Sequence, residues 1–452
     1  MSTTFLIFIV VSAVAVLLFM VLKLKISAFI SLLITAIYVG IVAGMPLSGI
    51  TKAIQDGMAG TLGFVATVVG LGAIFGQMLE SSGGAESLAH YLLKKFGTKR
   101  APWAMVITGF IVAIPVFLDV GFIILVPIIY ALARDSKKSL LYYGIPLLAG
   151  LAVTHSFIPP TPGPVAVADI INAQLGWVIL LGVIIGFPIA IIAGPIWGKY
   201  ISNKIYIEPP TELFKPENKD YDEKNLPPFG AIALIISIPL VLILVNTFTG
   251  LAVERGIFEK SMFTDVLVFI GHPFSALIIA TLIATYFLCI RRGLDKQKVL
   301  DLSTKALGPA GIIILITGAG GVLKQILVDS GIGKIMAESM ADSALPPILL
   351  AWLLAAVVRV TQGSATVAMI TAAGIIAPVL SEFGLNDPQR ALVVLAIASG
   401  ATLLSHVNDS GFWLVGKYFG MTEKQTLQSW TVMETIIAVC GLAFTLLASL
   451  FF

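Results

Sequence analysis

Four short stretches hold the side chains that could do chemistry in an otherwise apolar chain. They are F-L-D-V-G-F with Asp119; T-H-S-F-I-P-P-T-P-G-P with Thr154, His155 and Thr161; R-V-T-Q-G-S-A-T with Arg359, Gln362, Ser364 and Thr366; and S-H-V-N-D-S-G-F-W with Ser405, His406, Asn408 and Asp409. A charge at membrane depth costs about 2.5–3.5 kcal/mol on insertion scales, so each one needs a compensating role. The hydroxyls and amides suit a polyhydroxylated ligand. Arg359 suits a carboxylate, or else it pairs with Asp119 or Asp409 and holds the chain together. Asp119, His155 and Asp409 are the candidates for carrying a proton, because a carboxyl or imidazole at depth is cheaper to bury neutral. Each also has a structural reading: a hydrogen bond across the site for Asp119, and a bond to a neighbouring carbonyl for His155 and His406. No H-E-x-x-H pattern or Cys/His cluster accompanies the two histidines, and Cys289 and Cys440 lie far apart in apolar runs, so no metal is expected.

The elements that must position these residues are membrane helices. Hydrophobic residues make up 58% of the 452 positions and charged residues 12%, with a mean hydropathy of +1.00. A soluble domain has roughly 25% charged residues. The apolar residues fall in runs of about 20, the length that spans a bilayer. Simple spans are expected at 4–22, 26–44, 61–79, 176–198, 230–247, 273–290, 308–327 and 430–452. The first run has no basic residues before it and no small-residue cleavage pattern, so it reads as a retained helix. The net charge of +3 is small and gives no reason to expect nucleic acid.

Three longer runs cannot be simple spans. Residues 102–134 would form a helix of roughly 50 Å, too long for one crossing and too short for two. Residues 346–383 pose the same problem. Both carry polar or glycine residues near their midpoints, which predicts re-entrant hairpins with tips at membrane depth. The third run, 140–173, contains four prolines between 156 and 164 and must be a broken helix. A second broken helix is expected at 390–416.

The two halves resemble each other. Gln77, Leu79, Ser82, Gly83 and Ala89 recur as Gln325, Leu327, Ser330, Gly331 and Ala337, and Gly70 and Gly72 recur as Gly318 and Gly320. Each block precedes a hairpin, and each hairpin precedes a Thr/Ser-His pair. Threading the spans with Lys23 and Lys25 in the cytoplasm leaves only Lys52, Arg255, Lys260, Lys334 and Arg390 outside, with Lys324 and Arg359 inside apolar runs. The positive-inside bias then puts both termini outside and gives the hairpins opposite entry. The expected organisation is a first repeat at 1–199, a cytoplasmic linker at 200–228 and an inverted second repeat at 229–452. Paired broken elements in inverted repeats point to a secondary transporter with its site at the repeat interface. An intramembrane enzyme is disfavoured because no nucleophile–base motif is present, and the inverted repeats disfavour a channel.

On these motifs the chain resembles the gluconate permease family, the gluconate:proton symporters. The resemblance rests on A-G-T-L-G-F at 59–64, G-L-G-A at 70–73, F-L-D-V-G-F at 117–122 and T-H-S-F-I-P-P-T-P-G-P at 154–164. It continues in A-G-P at 193–195, G-A-G-G-V-L-K-Q-I-L-V-D-S-G at 318–331, Q-G-S-A-T-V-A at 362–368 and S-H-V-N-D-S-G-F-W-L at 405–414. It implies proton-coupled uptake of gluconate or a related sugar acid across a bacterial inner membrane, with no cofactor. It also implies kinship with ion transporters that form homodimers with elevator-like transport domains. Two departures stand out: many members have Glu where Asp119 stands and His where Thr161 stands. The Thr154-His155 and Ser405-His406 pairs fit the gluconate-like branch better than the D-serine branch. Other small carboxylates (D-serine, D-glycerate or a hexuronate) and sodium coupling stay open at this point.

Overall fold

The computed structural model describes residues 3–209, 226–332, 346–407 and 409–452. Most of the 200–228 linker, Lys334, the end of the repeated block at 333–337, and Asn408 lie outside these residues. Among the described residues every regular element is helical, and eight helices are long and apolar enough to cross a membrane. With no water in the bilayer core, a helix that satisfies its own backbone groups is one of the few structures that can span it.

The helices run α1 Thr3–Leu22, α2 Ala28–Val42, α3 Leu47–Ser81, α4 Gly84–Phe96, α5 Ala101–Val112, α6 Leu118–Ser136, α7 Leu141–Phe157 and α8 Pro162–Ile170. Next, α9 starts at Leu175 and continues through a π-helical turn, Ile192–Ile196, to Ser202. Then come α10 Phe229–Glu254, α11 Met262–Gly271, α12 from Pro273 to Arg292, and α13 Lys296–Asp329. The last group is α14 Pro347–Gln362, α15 Ala365–Leu380, α16 Asp387–Gly400, α17 Ser410–Phe419, and α18, which starts at Glu423 and passes through a π-helical turn at Leu427–Thr431.

Two helices outrun the apolar segments expected for them. α3 has 35 residues and α13 has 34, because each extends well beyond its apolar run on residues such as Lys52, Asp56, Lys296 and Asp301. Run length registers only the part of a helix that meets lipid, while the helix itself continues into water. α3 and α13 lie side by side, and small residues let their backbones meet. A Cβ on Gly57 would sit 2.7 Å from the Gly321 carbonyl oxygen and 2.7 Å from Val322 Cα.

Prolines and glycines set the interruptions that matter for the site. α7 ends at Phe157, where Pro159, Pro160 and Pro162 follow within five residues and supply no N–H to continue the ladder. Pro162 then occupies the first turn of α8, where its missing N–H is no loss. α14 ends on Gly363, whose φ of +92° is a left-handed conformation that favours glycine. Ser364 starts α15 by accepting a hydrogen bond from the Val367 N–H. α5 and α6, joined through Pro115, both rest on α7, whereas α14 and α15 lie against each other. The short helices cross between halves: α8 packs on α15, and α17 touches α6.

The α5–α7 contact is as tight as a helix pair allows. A Cβ on Gly109 would collide with the Leu147 carbonyl oxygen, and one on Gly150 with the Val106 carbonyl oxygen. Backbone cannot yield as a side-chain tip can, so Gly150→Ala is expected to cost about 1–3 kcal/mol or more. Gly311→Ala, with nothing within 4 Å of the added atom, should cost nothing. Thermal unfolding of the two variants in detergent checks this; equal midpoints would contradict it.

Candidate functional site

Helix ends from both halves converge on a cavity of about 480 Å³. Small-molecule sites typically enclose roughly 300–1,000 Å³. Three helix N-termini reach its wall: α6 at Leu118 and Asp119, α15 at Ser364 to Thr366, and α17 at Asp409 to Gly411. The first N–H groups of each helix have no intrahelical acceptor, and each terminus carries roughly half a positive charge. α7 adds His155 and Ser156, α14 adds Arg359 and Gln362, and α18 adds Trp430 and Glu434. Such a wall favours an anion.

Arg359 is the cation of this wall. It is 3% exposed, and its Nη2 donates to Asp409 Oδ2 at 2.6 Å. Of the two partners named from the sequence, Asp409 is therefore the one it pairs with. Asp409 is itself held by two further donors, the Ser405 hydroxyl and the Gly411 N–H at 3.2 Å. Ser405 in turn accepts from Trp430 Nε1 at 2.7 Å, and the Thr431 hydroxyl donates to the Ser405 carbonyl oxygen. This chain of bonds ties α14 to the break before α17 and to the start of α18.

The arginine is only partly used. Its Nε and Nη1 are buried with no hydrogen-bond partner. A buried unpaired donor costs the desolvation of that group, more when charged. Each unpaired donor is a charge-assisted one, for which a carboxylate oxygen is the strongest acceptor. Around it stand further unpaired or accessible polar groups: Gln362 Oε1, buried without a partner, and the Ser364 and Thr366 side chains.

The other sequence candidates fall in different places. Asp119 lines the cavity and is exposed. His155 lines it with Nδ1 buried and unpaired, its ring 6.0 Å from that of Phe117, and Asp119 is the charge that acts on it. Thr154 is fully buried with an unpaired hydroxyl, away from the cavity wall. Thr161 donates to the Ile158 carbonyl oxygen at 2.6 Å and borders a separate space of about 10 Å³, too small for an organic ligand. His406 bonds the Val360 carbonyl oxygen at 2.9 Å, the helix-end role, and is not on the wall. Asn408 lies outside the described residues.

Sequence reasoning passed over two wall residues, Trp430 and Glu434. The stretch W-T-V-M-E reads as the start of an ordinary span, and only the lone carboxyl in it gives a signal. Glu434 is 4% exposed, its Oε1 has no hydrogen-bond partner, and among the described residues it makes no ion pair.

Comparison with known proteins follows the same direction. The model of the family described as GntP family permease matches residues 4–451. The chain is 42% identical over 429 residues to a gluconate permease of Pseudomonas aeruginosa, covering 95% of this chain and 94% of that one. It is 41% identical to a low-affinity gluconate transporter of Escherichia coli, covering 98% and 97% of the two chains. A Gnt-II system L-idonate transporter of Escherichia coli is 38% identical over 96% of this chain and 97% of its own. Among solved structures, the fold is similar to the YdaH transporter of Alcanivorax borkumensis, with a TM-score of 0.59 at 12% identity over 88% of each chain. It is also similar to MtrF of Neisseria gonorrhoeae, with a TM-score of 0.61 at 16% identity over 88% and 83%. These two likenesses concern the fold alone.

The buried pair makes a stability prediction. Arg359→Ala or Asp409→Ala alone strands a buried charge and should destabilise the protein by about 3–5 kcal/mol. The double variant Arg359→Met/Asp409→Leu should recover most of that loss while abolishing ligand binding. Thermal unfolding of the three variants tests this, and a double variant as unstable as the sum of the singles would contradict it.

Proposed function

Because this chain belongs to the GntP family of permeases and is a membrane transporter, not an enzyme, we propose that it takes up gluconate or a closely related sugar acid together with a proton. The observation that supports this reading most is Arg359 on the cavity wall, with Nη2 spent on Asp409 and Nε and Nη1 left unpaired. A sugar-acid carboxylate would accept from an unpaired Arg359 donor, assisted by the N-termini of α15 and α17. The hydroxyl chain would then meet Gln362, Ser364, Thr366 and Asp119. Those groups offer both donors and acceptors, as a polyol requires. The L-idonate transporter among the relatives favours one second reading, an aldonate of different stereochemistry in the same cavity.

Transport requires that the cavity open alternately to each side. The proposed device is two inverted repeats, 1–199 and 229–452, with the helix pairs α5/α6 and α14/α15 as re-entrant hairpins beside the broken helices α7/α8 and α16/α17. The elements lining the cavity would move as one body against a scaffold, in elevator fashion, within a homodimer in the bacterial inner membrane. Both termini would lie outside. The coupling ion is proposed to be H⁺, without a cofactor.

The driving force follows from charge. One monoanion entering with one proton moves no net charge and draws only on the pH gradient. A second proton would add roughly 2.3 kcal/mol per 100 mV of membrane potential. In proteoliposomes, labelled gluconate should accumulate when the interior is alkaline, without sodium and irrespective of a clamped potential. A panel of sugar acids and D-amino acids should compete in the order of their likeness to gluconate. No gluconate uptake alongside strong uptake of another solute would overturn the substrate, and sodium dependence would overturn the coupling ion.

A further inference from the structure

Glu434 is a carboxyl for which neither the ion pair nor the helix termini account. It stands on α18, four residues after Trp430 and three after the end of the π-helical turn at Leu427–Thr431. Residues four apart share a helix face, so the bond that holds Trp430 on Ser405 also aims Glu434 at the cavity. π-helical turns are rare and recur at functional sites. The result is a carboxyl almost wholly buried in protein, with one oxygen unpaired and the residue on the cavity wall.

Its surroundings are already acidic. Arg359 from α14 and Asp409 from the start of α17 are the charges that act on it. Across the cavity stand His155 from α7 and Asp119 from α6. The other helices packed on α18, α9 and α16, contribute no titratable side chain within Leu175–Ile191 or at 391–400. Among the described residues Arg359 is thus the one Lys or Arg of the wall, and Asp409 already neutralises it. A substrate carboxylate placed on Arg359 would leave an ionised Glu434, itself 4% exposed, with an uncompensated like charge beside it. A proton on Glu434 removes that repulsion and turns the carboxyl into a donor for a substrate hydroxyl.

We infer that Glu434 is the group that carries the transported proton, loaded when the substrate carboxylate seats on Arg359 and released when that carboxylate leaves. The inference rests on the proposed sugar-acid reading for the identity of the anion only. Linkage makes the coupling reciprocal: the anion favours the protonated carboxyl, and the protonated carboxyl favours the anion. Substrate affinity therefore falls as pH rises through the range in which Glu434 gives up its proton. Asp409 is unsuited to this role because Arg359, the Ser405 hydroxyl and the Gly411 N–H all hold its ionised form. Asp119, exposed at the helix terminus, has no need of a proton to enter the fold.

The test compares Glu434→Gln, Glu434→Asp and Asp119→Asn in proteoliposomes with labelled gluconate. Wild type should accumulate gluconate roughly tenfold per pH unit, the limit for one proton per monoanion. Glu434→Gln should lose accumulation yet retain reduced gluconate exchange that no longer depends on pH. Glu434→Asp should restore some accumulation, and Asp119→Asn, weakened in gluconate affinity, should still accumulate gluconate in response to the pH gradient. Accumulation by Glu434→Gln equal to wild type, or uncoupling in Asp119→Asn alone, would overturn the inference. A second readout needs no substrate: infrared spectra of the purified protein across pH should show a protonated-carboxyl stretch that Glu434→Gln removes. An unchanged band in Glu434→Gln overturns the inference. A band lost in that variant while wild type transports no gluconate overturns the sugar-acid reading and leaves the carboxyl's role standing.

Discussion

The buried ion pair between Arg359 and Asp409 is the interaction on which the rest of the site depends. Burying an isolated guanidinium is prohibitive, and a single carboxylate neutralises its charge without satisfying its donors. The pair is a fixed point for three elements. Arg359 lies in the last turn of α14, Asp409 caps the start of α17, and Ser405 joins Asp409 to Trp430 near the start of α18. Because Asp409 holds Nη2, the guanidinium is fixed at the cavity wall with Nε and Nη1 still unpaired. That is preorganisation in the physical sense: the cost of ordering the binding group is met during folding and not during binding.

The second constraint is the bilayer itself. Non-helical backbone survives at membrane depth only where protein covers it or where it lines a cavity. The turns at 113–117 and 363–364 and the break before α17 lead into helix termini that meet at the cavity and supply donors for an anion, whereas the break at 158–161 is not on its wall. The two kinds of break differ in what they offer. Around Thr161 the prolines close a compact turn against α3 and the α5–α6 connection, and the hydroxyl is spent on Ile158. Around Asp409 the chain opens, and its groups face the cavity. An unequal division of labour between the halves follows: α14, α15, α17 and α18 contribute most of the binding wall, while α6 and α7 contribute Asp119 and His155.

What the sequence made legible follows from which features are local. Run length and composition suffice for the membrane class, because lipid imposes a minimum number of apolar residues irrespective of fold. Proline clusters suffice to show that a helix ends at Phe157, because a missing N–H needs no tertiary context. Arg359 announces itself as an intramembrane charge. Its choice of Asp409 over Asp119 was not legible, since it depends on where α17 starts relative to α14 in space. The reach of α3 and α13 beyond the apolar run was hidden because polar helix ends look like loops. Glu434 was hidden for the opposite reason: one carboxyl in a strongly apolar run is diluted in any window of 20 residues, and only its burial beside Arg359 gives it meaning.

The most direct test of the account is an experimental structure of this chain with gluconate bound, resolved well enough to tell the carboxylate from the hydroxymethyl end. The carboxylate is expected on Arg359, beside Glu434 and the N-termini of α15 and α17, with the hydroxyls on Gln362 and Ser364. Gluconate lodged elsewhere, such as the second cavity bordered by Gln174, Asn246 and His272, or lying with its carboxylate turned away from Arg359, would contradict it.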